Sequence, residues 1–284
     1  MVETNKIKYG IDIVGRNLHL AGCSCSGGSI LIDRLTQTGI DETNLEKLDG
    51  SGQLQFSIPE EKAIIKRVKV PSHKNLDGEE LAQFEFSTTL IDKEEELYIK
   101  ANSVNGGSEY LVFGCHRSLV DKQDKFIADR FMKPTDYKLR ALAMADGYQN
   151  YCWREGGELI CLLDLSPSTA SYCFINNNQP VFVGSITDNG AADNKNRQIS
   201  ESFLTDLKVT IQYDIGNLFK AGYTAPLSLV VVTGVLAGKE ANEAIEQKLG
   251  LRTISPTIKR ALFAPGIVDR GALFLVSLGL TVDN

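Results

Sequence analysis

Two aspartates hold matching places in two stretches of the sequence that lie far apart. Asp12 comes near the end of an apolar run, Lys8–Ile13, and Asp164 comes near the end of another, Glu158–Leu165. A short polar turn follows each run. Backbone N–H groups in such a turn can point at phosphate, while carboxylates hold a magnesium ion through water. The pattern therefore predicts a site with Asp12 and Asp164 as metal ligands. The alternative is that each carboxylate only bonds its own turn, which is common at strand ends.

The elements around the two aspartates repeat, and this repeat predicts the architecture. Leu18 stands six positions after Asp12, and Ala170 stands six positions after Asp164. Alternating apolar residues predict three-strand meanders at Lys8–Ile13, Leu18–Cys25 and Ser29–Thr36, and again at Glu158–Leu165, Thr169–Ile175 and Val181–Ile186. Because an internal duplication constrains the whole chain, we expect two similar lobes with the site between them.

The remaining segments predict a mixed α/β chain. Between the two meanders we expect strands at Gln53–Ile58, Ile64–Val70, Leu97–Val104 and Glu109–Cys115, and helices from Asp77 to Leu90, from Ser118, and from about Tyr137 to Asn150. After the second meander we expect a long helix from Ile199 to Phe219, a buried strand Leu227–Val232, a helix Lys239–Leu249 and a last helix at about 271–280.

Composition excludes several classes of protein. The 284 residues carry a net charge of −6, which argues against a nucleic-acid binder. The longest apolar runs are too short to span a bilayer, and the first residues lack the apolar core of a secretory signal. We therefore expect a cytosolic chain with no membrane span of its own. Six cysteines without a C-x-x-C pair predict buried thiols rather than disulfides or a zinc site.

Six short motifs, in order, resemble the PilM family of type IV pilus assembly proteins, within the actin-like ATPase superfamily that also contains FtsA. They are Tyr9-Gly10-Ile11-Asp12-Ile13, Val70-Pro71 followed by Glu79–Phe86, Val112–Arg117, Leu162–Thr169, Val230–Gly234 and Val276–Leu280. The resemblance implies an actin-like (ribonuclease H-like) duplicated two-lobe fold. Its first lobe would span 1–155, with a small α+β subdomain inserted at about 53–131. Its second lobe would span 156–284, with the C-terminal helix at about 271–280 returning to the first.

The resemblance also implies a site for ATP and Mg²⁺. Its cofactor-binding residues would be Asp12, Gly15 and Asn17 in the first phosphate loop, Asp164, Ser166, Ser168 and Thr169 in the second, and Thr233 and Gly234 in an adenosine turn. Three positions depart from the family pattern, because Val14, Ser166 and Val235 stand where it has glycine. A Cβ there hinders positive φ and moves the backbone away from phosphate, so a degenerate ATP site is expected.

The function that the resemblance implies is a scaffold. It would sit in the cytoplasm against the inner membrane, in the assembly platform of a type IV pilus or a related secretion system. Its partner would be the cytoplasmic N-terminal tail of a PilN-like single-span membrane protein. We expect this tail beside the hairpin Leu97–Cys115 and the helix Leu81–Leu90. Homo-oligomerisation stays open. The rival from another class is a small-molecule kinase of the same superfamily, which needs well-formed phosphate glycines.

Overall fold

The fold, taken from a computed structural model, rests on two five-stranded sheets with the same strand pattern. The structure describes residues 6–26, 29–42, 48, 51–71, 77–90, 96–104, 108–153, 155, 157–187 and 199–282. The first sheet has the order β3-β2-β1-β4-β8, from β1 (Lys6–Val14), β2 (Asn17–Ser26), β3 (Ser29–Gly39), β4 (Gln53–Ile58) and β8 (Asp136–Leu139). The second has the order β11-β10-β9-β12-β13, from β9 (Leu159–Leu165), β10 (Thr169–Asn176), β11 (Gln179–Thr187), β12 (Leu227–Thr233) and β13 (Thr253–Ile254).

The pairing in the two sheets confirms the duplication predicted from the sequence. In each sheet the first three strands form an antiparallel meander, and two parallel strands extend the other side of the first strand. Asp12 lies opposite His19 in β2, and Asp164 lies opposite Ser171 in β10. The two aspartates therefore hold equivalent positions in equivalent sheets.

A third sheet forms a small subdomain. It has the order β5-β7-β6, from β5 (Ile64–Lys69), β6 (Leu97–Val104) and β7 (Glu109–His116), and it is accompanied by α1 (Gly78–Ser87) and α2 (Arg117–Ala128). Its own small core contains Val70, Ala82, Phe86, Ala101, Tyr110 and Val112. Because β4 pairs with β1 in the first main sheet, the subdomain begins after Ile58, and the predicted start at 53 was too early.

The described residues contain four further α-helices: α3 (Arg140–Tyr151), α4 (Glu201–Lys220), α5 (Lys239–Leu249) and α6 (Gly271–Gly279). Ser200 caps α4 by accepting the Phe203 N–H at 3.1 Å, and Gly250 ends α5 in the left-handed region at φ 69°. Within the described ranges, no helix is both long and apolar enough to cross a membrane. The six cysteines are free thiols, and all except Cys25 are buried.

The last helix packs against elements of the first sheet. A Cβ added at Gly10 of β1 would lie 1.9 Å from the Ser277 carbonyl oxygen, and one at Gly279 would lie 1.6 Å from the Ala143 carbonyl oxygen. Only glycine lets the backbones of β1, α3 and α6 approach this closely. Both contacts join the C-terminal end of the chain to the first sheet and to the helix that follows it.

The segment before α3 differs from the sequence-based expectation. We expected one helix from about Tyr137, but Asp136–Leu139 is a strand that pairs in parallel with β4, and the helix begins at Arg140. Four residues are too few to show an alternating pattern, so only the distant partner strand reveals β8. The predicted lobe boundary lies between residues 155 and 156. Residues 154 and 156 are outside the described residues.

Candidate functional site

Asp12 sits at the centre of a buried polar cluster at the end of β1. Its side chain is only 3% exposed. The hydroxyl of Ser57 in β4, the neighbouring parallel strand, donates a hydrogen bond to Asp12 Oδ1. Across the β1–β2 ladder lies His19, which is also buried. The parallel strand β4 thus fixes the carboxylate by a hydrogen bond, while the meander covers it with the buried His19.

Arg140 supplies the positive charge of this cluster. Its Nε and Nη2 donate to Asp12 Oδ1 at 3.0 and 2.9 Å, and Nη2 also donates to the Ile13 carbonyl oxygen at 2.7 Å. Arg140 is the first residue of α3 and is itself 3% exposed. Burial acts to lower its pKa, but the surrounding carboxylates, led by Asp12 and Asp164, raise that pKa above its ordinary value. The guanidinium is therefore a permanent cation.

Asp164 is the equivalent acid in the second sheet, and it accepts fewer side-chain hydrogen bonds than Asp12 among the described residues. Ser166 Oγ donates to Asp164 Oδ1 at a long 3.4 Å. Burial raises the pKa of Asp164 to about 6, the charge of Asp12 adds to this rise, and the charge of Arg140 opposes it. The charge of Arg140 therefore acts on both predicted metal ligands, through direct hydrogen bonds at Asp12 and only electrostatically at Asp164.

A third carboxylate, Glu60, closes the cluster and positions Arg140. Glu60 is 3% exposed and belongs to a single helical turn, Glu60–Lys62. Its Oε1 accepts the Ala141 N–H at 2.6 Å, which satisfies an unpaired donor at the start of α3. Burial raises the pKa of Glu60 to about 7, and the Ala141 N–H and the Arg140 charge counteract that rise.

His19 is buried without a visible hydrogen-bond partner. Neither ring nitrogen bonds to any atom in the part of the chain that the structure describes. Burial lowers the pKa of His19, the charge of Asp12 acts to raise it and the charge of Arg140 lowers it further. The imidazole is therefore neutral at pH 7, and its ring contacts Phe274 edge to face at 5.7 Å.

The two predicted phosphate turns lie at the ends of the hairpins. Gly15 is exposed, with a φ of 58° in the left-handed region, and Asn17 is half-buried. In the second turn Ser168 is exposed and Thr169 is half-buried. The N–H of the buried Ser166 already donates to the Thr169 carbonyl oxygen at 2.8 Å, so this donor is used within the turn.

The third predicted turn is closed by protein backbone. The Thr233 hydroxyl donates to the Ala272 carbonyl oxygen, and the Gly234 N–H donates to the same oxygen at 2.6 Å. Gly234 has a φ of 97°, and a Cβ there would lie 2.5 Å from the Leu165 carbonyl oxygen. Cavities of about 470 and 550 Å³ flank the turn, and neither is lined by Asp12 or Asp164.

These residues do not fit a magnesium nucleotide shared between the two aspartates. Asp12 Oδ1 accepts hydrogen bonds from the Arg140 guanidinium and the Ser57 hydroxyl, so a cation already occupies one side of this carboxylate. In the described ranges, no group of three or more His, Cys, Asp or Glu side chains could hold a metal ion. The donors of Thr233 and Gly234 are taken up by α6.

Sequence reasoning missed Arg140 and Glu60. The available signals were weak: a lone arginine before the run Ala-Leu-Ala-Met-Ala, and a glutamate directly after Pro59. Neither signal says that the residue is buried. Arg140 reaches Asp12, and Glu60 reaches the start of α3, only because β8 and the turn after β4 bring that helix to the first sheet.

A second feature is an apolar cavity of about 440 Å³ in the small subdomain. It lies where β5 and β6 begin, where β7 ends and where α2 starts, and it is lined by Glu61, Lys62, Ala63, Ile64, Leu97, Gly114, Cys115, His116, Ser118, Leu119 and Lys122. The hairpin Leu97–Cys115 offers the edge that we expected through its first strand, β6, because the order β5-β7-β6 makes β5 and β6 the outer strands. On α1, Phe86 is buried and Phe84 is 62% exposed.

No protein-family model and no curated protein matches the sequence, whereas solved structures do. The chain is similar to a chain of a PilM–PilN type IV pilus biogenesis complex, with a TM-score of 0.70 and 14% identity over 96% of this chain and 97% of that chain. It is also similar to a Bacteroides thetaiotaomicron protein of unknown function with the actin-like ATPase fold, with a TM-score of 0.54 and 11% identity over 100% of both chains. The cytoplasmic domain of EpsL, an inner-membrane component of the Vibrio cholerae type II secretion system, aligns with a TM-score of 0.49 and 9% identity over 97% of this chain and 93% of that chain.

The first two likenesses show the fold. The chain has the actin-like ATPase fold, and it shares this fold with the chain of the PilM–PilN complex over 96% of its length. The fold predicted from the duplicated meanders and the ordered motifs is thereby confirmed.

Proposed function

We propose that this protein is a scaffold of the inner-membrane assembly platform of a type IV pilus or a related secretion system. In this role it sits in the cytoplasm, peripheral to the membrane, and holds the cytoplasmic N-terminal tail of a PilN-like single-span membrane protein. The fold it shares with a chain of a PilM–PilN complex supports this role. Its interlobe cleft is a degenerate ATP site. Self-association is compatible with the role but is not required for it.

The observation that carries the proposal is the apolar cavity of the small subdomain. Ile64, Leu97 and Leu119 supply apolar walls, and Ile64 is 39% exposed. Apolar surface in a cavity of about 440 Å³ is a place where a partner's apolar side chain can be buried. Lys62 and Lys122 also line the cavity, so it suits a segment that is apolar with an acidic or carbonyl-rich flank.

The strand that begins at this cavity can extend the binding site. β5 is an outer strand of the small sheet, with Lys66 and Lys69 exposed along it. An extended peptide can add to such an edge by main-chain hydrogen bonds, while alternate side chains enter a pocket. We therefore place the tail along β5, with one apolar side chain in the cavity between Ile64 and Leu119.

Binding to a synthetic tail tests this function. The probe is a fluorescent peptide with the N-terminal sequence of the single-span membrane protein encoded beside this gene, and a scrambled peptide serves as the reference. Leu119→Glu replaces an apolar wall of the cavity by a charged side chain and is expected to weaken binding at least about tenfold, because the apolar side chain of the partner would lose apolar surface to pack against. Val268→Glu is the matched control, since Val268 is 68% exposed and does not line the cavity.

Two outcomes contradict the proposal. Equal binding by wild type and Leu119→Glu, with loss on Phe84→Glu instead, would move the docking surface from the cavity to α1. Binding only to anionic vesicles, abolished by salt, would replace the peptide by a lipid surface, because charge–charge attraction is screened whereas apolar burial is not.

A further inference from the structure

The buried polar cluster around Asp12 contains a cation of its own, the Arg140 guanidinium. Arg140 places two nitrogen atoms on Asp12 Oδ1 at 3.0 and 2.9 Å, and a third hydrogen bond of 2.7 Å ties the guanidinium to the Ile13 carbonyl oxygen. Both members of the ion pair are about 4% exposed. A pair this deep in the protein cannot be broken without leaving an uncompensated charge, so the arrangement is fixed.

The backbone around Arg140 holds the guanidinium in place. Arg140 starts α3, directly after Leu139 at the end of β8. Glu60 anchors the first turn of the helix through the Ala141 N–H, and α6 packs so closely that a Cβ at Gly147 would lie 2.2 Å from the Leu275 carbonyl oxygen. The backbone from which the Arg140 side chain extends is therefore fixed by Glu60 on one side and by α6 on the other.

We propose that Arg140 is a built-in replacement for the divalent cation that Asp12 and Asp164 would otherwise share, so that the cleft is held together without a metal nucleotide. The guanidinium pairs with Asp12, and its charge also acts on Asp164. The hydrogen bonds of Thr233 and Gly234 support this role, because both residues donate to the Ala272 carbonyl oxygen. This inference concerns the cleft and does not rest on the proposed binding of a membrane-protein tail.

Removing the internal cation tests the proposal. Arg140→Gln leaves the carboxylates of Asp12, Asp164 and Glu60 without their guanidinium, so this variant is expected to bind Mn²⁺ at least about tenfold more tightly than wild type. Binding is followed by the loss of the free-ion EPR signal of Mn²⁺. Adding Asp12→Asn to Arg140→Gln is expected to abolish the gain, because one of the two metal ligands is then neutral.

Lys138→Gln is the matched control. Lys138 is 1% exposed and pairs with Asp146 at 2.6 Å, so this variant also loses a buried cation, but not the one that faces Asp12. It is expected to show no gain in Mn²⁺ binding. An equal gain in both variants, or no gain in Arg140→Gln when it is folded, overturns the proposal.

The wild-type protein gives an independent measurement if Arg140→Gln does not fold. Its melting temperature is expected to be the same with Mg-ATP as with buffer, because a ligand stabilises a protein only by binding its folded state. A rise in melting temperature with Mg-ATP that is lost in Asp12→Asn would show that the aspartates still hold a metal nucleotide, and would overturn the proposal.

Discussion

Replacing Glu60 by glutamine changes the stability of the protein in a pH-dependent way. Glu60 is buried at the start of α3, and its pKa is raised from 4.5 to about 7 in the folded chain. Between these two values the unfolded chain releases the proton while the folded chain keeps it. The contribution of Glu60 to stability is therefore fully present below pH 4.5 and is lost as the pH rises through 7.

The size of the effect follows from the two pKa values. Their difference, about 2.5, corresponds to about 3 kcal/mol of unfolding free energy at about 1.4 kcal/mol per unit. Glutamine resembles the protonated acid, keeps an oxygen for the Ala141 N–H and does not titrate. The unfolding free energy of Glu60→Gln minus that of wild type is therefore expected to increase by about 2 to 3 kcal/mol as the pH rises from 5 to 8.

Urea unfolding at several pH values between 5 and 8 measures this difference. Glu61→Gln is the matched control, because Glu61 is the adjacent residue and is exposed. Its unfolding free energy is expected to follow wild type at every pH. A constant difference between Glu60→Gln and wild type across this range would refute the reasoning, because it would mean that Glu60 has the same pKa in the folded and unfolded chains.

Two further pairs of variants test how the fold is packed, each by urea unfolding at pH 7. Gly234→Ala is expected to lose at least about 2 kcal/mol, because φ is 97° and the new Cβ would lie 2.5 Å from the Leu165 carbonyl oxygen. Gly216 lies in α4, and no atom lies within 4 Å of the Cβ that alanine would add. Gly216→Ala is therefore expected to raise the unfolding free energy by up to about 1 kcal/mol, and a decrease would contradict the helical conformation of this residue. Phe86→Ala is expected to lose about 3 to 5 kcal/mol, because Phe86 fills the small core beneath α1. Phe84→Ala is expected to stay within about 0.5 kcal/mol of wild type, since Phe84 is 62% exposed; equal losses would mean that α1 packs through its other face.

Local patterns were sufficient for most of the secondary structure. The strands of the first meander alternate apolar and polar residues, β9 is a continuous apolar run, and α4 repeats apolar residues every three or four positions, so each could be predicted from its own segment. Gly250 ends α5 as expected, because a helix C-terminus needs a residue that tolerates the left-handed region. The equivalence of Asp12 and Asp164 could also be predicted, since both follow the same spacing within a repeat.

Contacts between distant segments explain the two predictions that were wrong, the helix at Tyr137 and the start of the subdomain at 53. β8 is four residues long, and only its pairing with β4 makes it a strand. The predicted subdomain began at 53 because nothing local distinguishes β4, a strand of the first main sheet, from the strands of the inserted sheet.

The sequence by itself determined the duplicated fold and the two aspartates, because a strand meander and its spacing are local properties of the chain. Only the tertiary structure decided what the aspartates face. Arg140 is 128 residues from Asp12 and lies beside it because β8 and α3 place it there. The backbone that closes the turn at Thr233 and Gly234 comes from α6, about forty residues further along. Burial and charge neutralisation depend on which segments meet in space, and no local pattern carries that information.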